Sequence, residues 1–275
     1  MARGAGLLAT ALVALPAAAQ ETFFTPSATQ PSVGHFAVRE RVVWTSLGDD
    51  PTGREREGDE LAALTTITYG LTRNWSLSLD APVVWRNERE SDQNDEDQFG
   101  LGDFSLTAKY RFFQKDLGPV DTMRAAIIGG VQAPTGTGDL SSHSWDPIFG
   151  GVFMLITGRH GLTQSLVYQL NTGTIEDPWR AGGGKADLLR YDTAYAFRFE
   201  PAAYTAETKA AWYAVLELNG MYETNGDNEV MLSPGVLIEA RTWALEATVQ
   251  IPILAEVDHR PEVEVAVGLD LRFVF

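Results

Sequence analysis

The stretch that decides the fold is EVEVAVGLDLRFVF, residues 262–275. Val263, Val265, Val267, Leu269, Leu271, Phe273 and Phe275 are apolar. Glu262, Glu264, Asp270 and Arg272 take alternate positions with Ala266, Gly268 and Val274. A period of two makes a strand with one apolar and one polar face; a helix would scatter the same residues around its axis. Such a face is buried either against a second sheet in a sandwich or against lipid, on the outside of a closed barrel whose polar face meets water.

The rest of the chain favours the barrel. Arg3, a short apolar run over 6–15 and Ala17-Ala18-Ala19 read as an export signal occupying residues 1–19, with cleavage after Ala19. The run is too short to cross a bilayer, and no long apolar run follows it. The remaining way to span lipid is a closed ring of strands, because lipid tolerates neither open sheet edges nor unpaired backbone groups. A mean hydropathy of −0.11 is compatible with that, since every second residue of such a wall is polar. The chain has no cysteine, which removes disulfides, thiolate metal sites and a lipid-anchored cysteine. The net charge of −16 argues against nucleic acid as a partner.

Residues 20–32, with Pro26 and Pro31, read as a periplasmic N-terminal arm, either disordered or entering the barrel. Residues 33–275 then carry about twelve strands of the length a tilted transmembrane strand needs. They are predicted over 34–46, 61–69, 75–86, 102–113, 122–133, 147–157, 162–171, 187–199, 211–222, 230–240, 243–253 and 262–275. Trp75 and Trp85 stand near opposite ends of one strand, as paired aromatic girdles would require. Glu40 interrupts the apolar face of the first strand. Strand 147–157 is apolar on both faces and is read with Phe149, Phe153 and Leu155 inward. Long connectors at 47–60, 87–101, 134–146 and 172–186 alternate with short ones, as outer loops and periplasmic turns do. Connector 200–210 is longer than a turn should be. The fold class is therefore all-β: an up-and-down antiparallel transmembrane barrel.

The terminal LRFVF resembles the C-terminal signature of Gram-negative outer-membrane proteins, which implies that Phe273 and Phe275 are read by the barrel assembly machinery. Three further segments resemble the outer-membrane transporter family of the MetA pathway of phenol degradation. They are Gly102-Asp103-Phe104 running into Tyr110-Arg111-Phe112, the run Gly130-Val131-Gln132-Ala133-Pro134-Thr135-Gly136, and Ser144-Trp145-Asp146-Pro147 followed by Gly150-Gly151. The resemblance implies passage of small aromatic or other apolar molecules through the outer membrane. It brings no agreed set of binding residues.

The alternation places a set of charges inside. Arg39, Arg41, Lys109, Arg111, Arg124, Arg190 and Arg198 lie on strands of the first two-thirds. Glu217, Glu239, Glu246, Glu264 and Asp270 lie on the last four. These residues, with inward Phe149 and Phe153, are the candidate lumen lining. A basic wall opposite an acidic one would set a field across a watery lumen; the same charges could instead pair into a plug. Closure of the last strand on the first would bring Glu264 or Asp270 to Arg39 or Arg41.

Ser141, Ser142, His143, Ser144 and Asp146 hold the residue types of a hydrolase triad, which makes a lipid hydrolase the alternative from another class. Sequence neighbours seldom reach triad geometry, and no Gly-x-Ser-x-Gly elbow is present. Acidic clusters at 49–50, 92–97 and 227–229 could hold Ca²⁺ or Mg²⁺ bridging lipopolysaccharide phosphates at the lipid surface, but they match no twelve-residue calcium loop and read rather as solvated loop charge. No catalytic residue, metal site or cofactor is expected. The sequence thus points to a passive channel, with a closed structural barrel as a third reading.

Overall fold

The computed structural model describes residues 20–90 and 96–275. Residues 1–19, where the export signal is expected, and residues 91–95 of the second acidic loop lie outside the described residues. The described chain is almost entirely strand: β1 (Phe36–Gly48), β2 (Glu57–Gly70), β3 (Trp75–Arg89), β4 (Glu96–Leu101), β5 (Phe104–Asp116), β6 (Thr122–Ala133), β7 (Asp146–Thr157), β8 (His160–Gln169), β9 (Leu188–Glu200), β10 (Ala210–Glu223), β11 (Asn228–Ala240), β12 (Trp243–Glu256) and β13 (Glu262–Val274). All pairings are antiparallel between neighbours, and β13 returns to β1, so the sheet closes.

β4 and β5 lie end to end along β3, the first pairing with Val83–Glu88 and the second with Trp75–Asp80. They form one stave, and the wall has twelve. The break between them falls opposite Pro82, which has no N–H to give a neighbour. Gly102 N donates to Pro82 O there (2.9 Å). At the seam Phe275 N donates to Phe36 O (2.8 Å) and Phe36 N to Phe275 O (3.3 Å), so the last residue of the chain fastens the ring.

The apolar faces point outward. Leu269, Val267, Leu218 and Leu106 are exposed on the outside of the ring. Trp44, Leu61, Trp85 and Phe99 form one cross-strand row near the loop ends. Phe36–Tyr69 and Trp75–Tyr110 pack at 4.6 and 4.7 Å near the turn ends. Ten residues separate Trp75 from Trp85, about 25 Å along the axis for a tilted strand, which matches the height of a lipid-facing band. Glu40 does lie on this outer face; its carboxylate accepts a hydrogen bond from Thr65 Oγ1 on β2 (2.6 Å).

Strand β7 corrects one expectation. Phe149 registers with Tyr168, and Phe153 and Leu155 with Ala125 and Met123. All three therefore face lipid, and Phe149 is 51% exposed. The inward residues are Ile148, Val152, Met154 and Ile156. Alternation cannot orient a strand that is apolar on both faces; the register of its neighbours does. The long connectors are also shorter than expected, because β1 runs to Gly48, β2 begins at Glu57, and β3 and β4 extend into the acidic stretch. Connector 201–209 turns back into the mouth of the ring. Tyr204 Oη lies 2.7 Å from Tyr213 Oη, and the Arg198 guanidinium lies over the Tyr204 ring at 4.0 Å.

Leu269 is 52% exposed, so in a water-soluble protein Leu269→Arg would change stability by less than about 0.5 kcal/mol. On a lipid-facing wall near mid-depth the same change is expected to cost about 2–4 kcal/mol in urea titration in vesicles.

Candidate functional site

The lumen holds the protein's own N-terminal arm. Residues 20–32 have no strand partner, so each N–H and C=O needs another one. The inner wall supplies them by sign. Glu217 on β10 accepts from Thr22 Oγ1 (3.0 Å), Phe24 N (3.1 Å), Thr25 N (2.7 Å) and Thr25 Oγ1 (2.6 Å). The cations take the carbonyls. Arg39 donates to Thr22 O (2.8 Å) and Phe23 O (3.2 Å), Arg41 to Phe23 O (3.3 Å), and Lys109 to Ser27 O (2.6 Å) and Thr29 O (3.0 Å). Arg272 bridges Glu21 of the arm and Glu239 of β11. The arm ends at the turn side, where Gln30 Nε2 donates to Arg73 O (2.7 Å).

Packing completes the mooring. Ala28 is wholly buried in a cluster with Ala126, Val152, Met154 and Ile156. Phe23, 1% exposed, lies against Gly268 of β13; a Cβ built there would stand 2.5 Å from the ring. The glycine interrupting the polar face of β13 is thus a sequence signal for an occupant of the lumen. It reads as such only once the inward direction is known.

The other expected lining residues divide into groups. Asp270 pairs with Arg39 across the seam (2.8 Å), and Glu264 accepts from Ser46 Oγ near the loop end (2.9 Å). Arg111 donates to Arg73 O (2.5 Å) and Arg198 to Gly158 O (3.3 Å), both at the turn side. Arg124 and Arg190 border the open lumen. Glu246 is fully buried, and neither carboxyl oxygen has a hydrogen-bond partner among the described residues. Phe149 and Phe153 are outside the ring and line nothing within it.

The arm does not fill the lumen. A cavity of about 1450 Å³ remains, bordered by the arm, the inner faces of β1–β3 and β5–β9, the turn-side ends of β10–β13, and the turns at Val120 and Thr208. Its apolar lining, unnoticed in the sequence, comes from short runs on the polar face: Val43, Ala62, Leu64 and Pro82 on one side, Ile128, Ile148 and Val167 on another. A second cavity of about 600 Å³ lies among the loops, and Asp103, Gln132, Gln169, Arg180, Leu188 and Arg190 border both.

The loops over this outer cavity are fastened by buried charge. Asp50 pairs with Arg56 (2.7 Å), which also donates to Asp177 O (3.0 Å). Burial would raise the Asp50 carboxyl, but the hydrogen bonds from Arg56 and Thr52 outweigh it and hold it below the usual carboxylate range. Glu60 joins Arg86 and Arg180 (2.9 and 3.0 Å), and Arg260 joins Glu223 and Glu229 (2.8 and 3.2 Å). Two acidic clusters read as solvated, 49–50 and 227–229, thus supply pairing groups in Asp50, whose carboxylate is enclosed, and in the buried Asp227 and Glu229. The cluster at 92–97 lies mostly outside the described residues.

The serine-rich loop is a clasp. Asp103 accepts from Gly136 N (2.8 Å), Ser141 Oγ (2.8 Å), and Ser142 N and Oγ (both 2.7 Å); Ser144 Oγ donates to Asp146 (2.9 Å). Among the described residues His143 makes no side-chain hydrogen bond to Ser144, so no triad is assembled. No group of three or more His, Asp or Glu able to hold a metal occurs among the described residues. The three segments that carry the family resemblance meet here, since Phe104 N also donates to Thr135 Oγ1 (2.9 Å).

A closed twelve-stave ring with a lipid-facing exterior and a partly filled polar lumen defines an outer-membrane-type β-barrel. The chain belongs to the family described as "Putative MetA-pathway of phenol degradation", whose profile matches residues 29–236. Its fold is similar to the COG4313 outer membrane channel from Pseudomonas putida F1, with a TM-score of 0.59 at 14% identity over 90% of this chain and 97% of that one. It is also similar to the β domain of the Bordetella autotransporter BrkA, with a TM-score of 0.52 at 13% identity over 89% and 100%. No curated protein matches the chain.

Hydrogen bonds to a buried charge contribute about 1.5–3 kcal/mol each. Glu217→Gln is therefore expected to weaken arm docking by about 2–3 kcal/mol, roughly a hundredfold in the undocked fraction. Maleimide labelling of Ala28→Cys, in a chain with no native cysteine, reads that fraction directly. Gly268→Leu, which drives a side chain into Phe23, is expected to raise labelling as well.

Proposed function

We propose that the chain is an outer-membrane channel for passive uptake of small apolar or aromatic compounds, made with an export signal at 1–19 and inserted by the barrel assembly machinery through its terminal Phe273 and Phe275. The observation that carries this reading is the 1450 Å³ cavity beside the docked arm, adjoining the loop-side cavity and reaching the turns at the opposite end. Family membership supports it, as does the likeness to a barrel described as an outer membrane channel. Apolar side chains within an otherwise polar lumen suit a solute with little hydrogen-bonding capacity. The loops face lipopolysaccharide in this arrangement.

A closed structural barrel is the competing reading, and the buried arm is the observation in its favour. Single-channel recording separates the two. The full-length barrel is expected to conduct in small steps and to speed uptake of benzyl alcohol into vesicles. A variant lacking residues 20–32 is expected to conduct several-fold more, since the arm shares the cross-section. A barrel that neither conducts nor speeds uptake would contradict the channel reading.

A further inference from the structure

The lumen cavity carries a charge opposite to that of the chain. The protein has a net charge of −16, yet eleven lysine and arginine side chains border the cavity against four carboxylates. Two of those carboxylates, Glu21 and Glu239, are engaged by Arg272. Asp103 is held by its four donors from the 136–142 loop, and Asp80 accepts from Thr66 (2.5 Å). Of the cations, Arg41, Lys109, Arg111, Arg124 and Arg190 form no ion pair among the described residues. The Nε atoms of Arg41, Arg111 and Arg124 are buried without a hydrogen-bond partner. Arg124 is 7% exposed, too enclosed for bulk water to screen it well.

These cations sit beside grease. Arg41 registers with Leu64, and Leu64 in turn with Pro82; Val43 and Ala62 are the next inward pair along the same strands. Arg190 registers with Val167, and Val167 with Gly150, which has no side chain; Ile128 is the next inward residue beyond it. Twice, then, an unneutralised guanidinium borders an aliphatic patch facing one cavity. A neutral hydrocarbon would use the patch and leave the guanidinium unsatisfied. A small hydrated anion would use the guanidinium and leave the patch wet. A flat apolar body carrying one carboxylate uses both, with the planar fork of arginine matched to the carboxylate oxygens.

We propose that the solutes this lumen selects are small apolar anions, aromatic monocarboxylates above all, and that Arg41, Arg124 and Arg190 determine the selection. The proposal rests on the channel reading above and deepens it. Electrostatic focusing in a low-dielectric cleft raises the local concentration of the matching ion and rejects its opposite.

The test uses the full-length barrel in a planar bilayer and needs no variant for its first arm. Reversal potentials are measured under gradients of sodium benzoate and of phenyltrimethylammonium chloride, two aromatic ions of opposite sign and similar size. Permeability to benzoate is expected to exceed that to phenyltrimethylammonium about tenfold. In the second arm, the double variant Arg124→Gln, Arg190→Gln is expected to lose most of that ratio while benzyl alcohol uptake into vesicles stays within twofold. Arg124→Lys, Arg190→Lys, which retains charge, is expected to keep the ratio and to show that the barrel still folds. Equal permeabilities or a preference for the cation would overturn the proposal. So would a ratio unchanged by the glutamine pair. Benzyl alcohol uptake without anion preference would sink this inference and leave the channel reading standing; absence of both current and uptake would sink the two together.

Discussion

The carboxylate of Glu217 is the interaction around which the interior is arranged. It is fully buried, and all its donors come from residues 22–25. A buried carboxylate without partners costs several kcal/mol, and so does a buried peptide segment without partners. Each removes the penalty of the other. The same exchange runs in reverse opposite, where Arg39, Arg41 and Lys109 take the carbonyls that Glu217 cannot. The field across the lumen therefore orients a dipolar occupant, and that occupant is a stretch of the chain itself.

This division decides where a solute fits. The acidic side, on β10 to β13, is engaged, Glu246 apart, by the arm and by pairs such as Asp270 with Arg39 and Glu239 with Arg272. The cavity lies mainly toward β1–β3 and β5–β9, where cations outnumber acids. The loops close over the outer end by means of buried pairs, so the mouth is shaped by charge and the passage by charge and aliphatic side chains together.

Most of the wall was legible because lipid imposes one rule on every strand. Alternation along β13 or β12 can be read without knowing any neighbour, and the terminal aromatic follows from the same pattern. The seam pair of Asp270 with Arg39 was legible as soon as the ring was taken to close. Strand β7 was not, since Phe149 and Ile148 are equally apolar and only the register with β6 and β8 separates them. The arm was not, because its hydrogen bonds go to side chains far away in sequence, and Pro26 and Pro31 suit a disordered tail as well as a moored one. Asp50 and Asp227 look like surface charge because Arg56 and the backbone of Asp258 that bury them are matched only by folding. Ser144 and His143 are close in the chain, yet the hydrogen bonds of that loop converge on Asp103, which proximity in sequence does not reveal.

The measurement that bears most directly on this account is the current through a barrel whose arm is fixed in place. Ala28→Cys and Ala126→Cys place thiols within one packed cluster, and a crosslink between them holds the arm docked. The account expects the crosslinked barrel to keep the conductance of the unmodified one, because the passage runs beside the arm. Loss of current on crosslinking, restored by reduction, would mean that the arm is the gate and that no passage exists while it is docked.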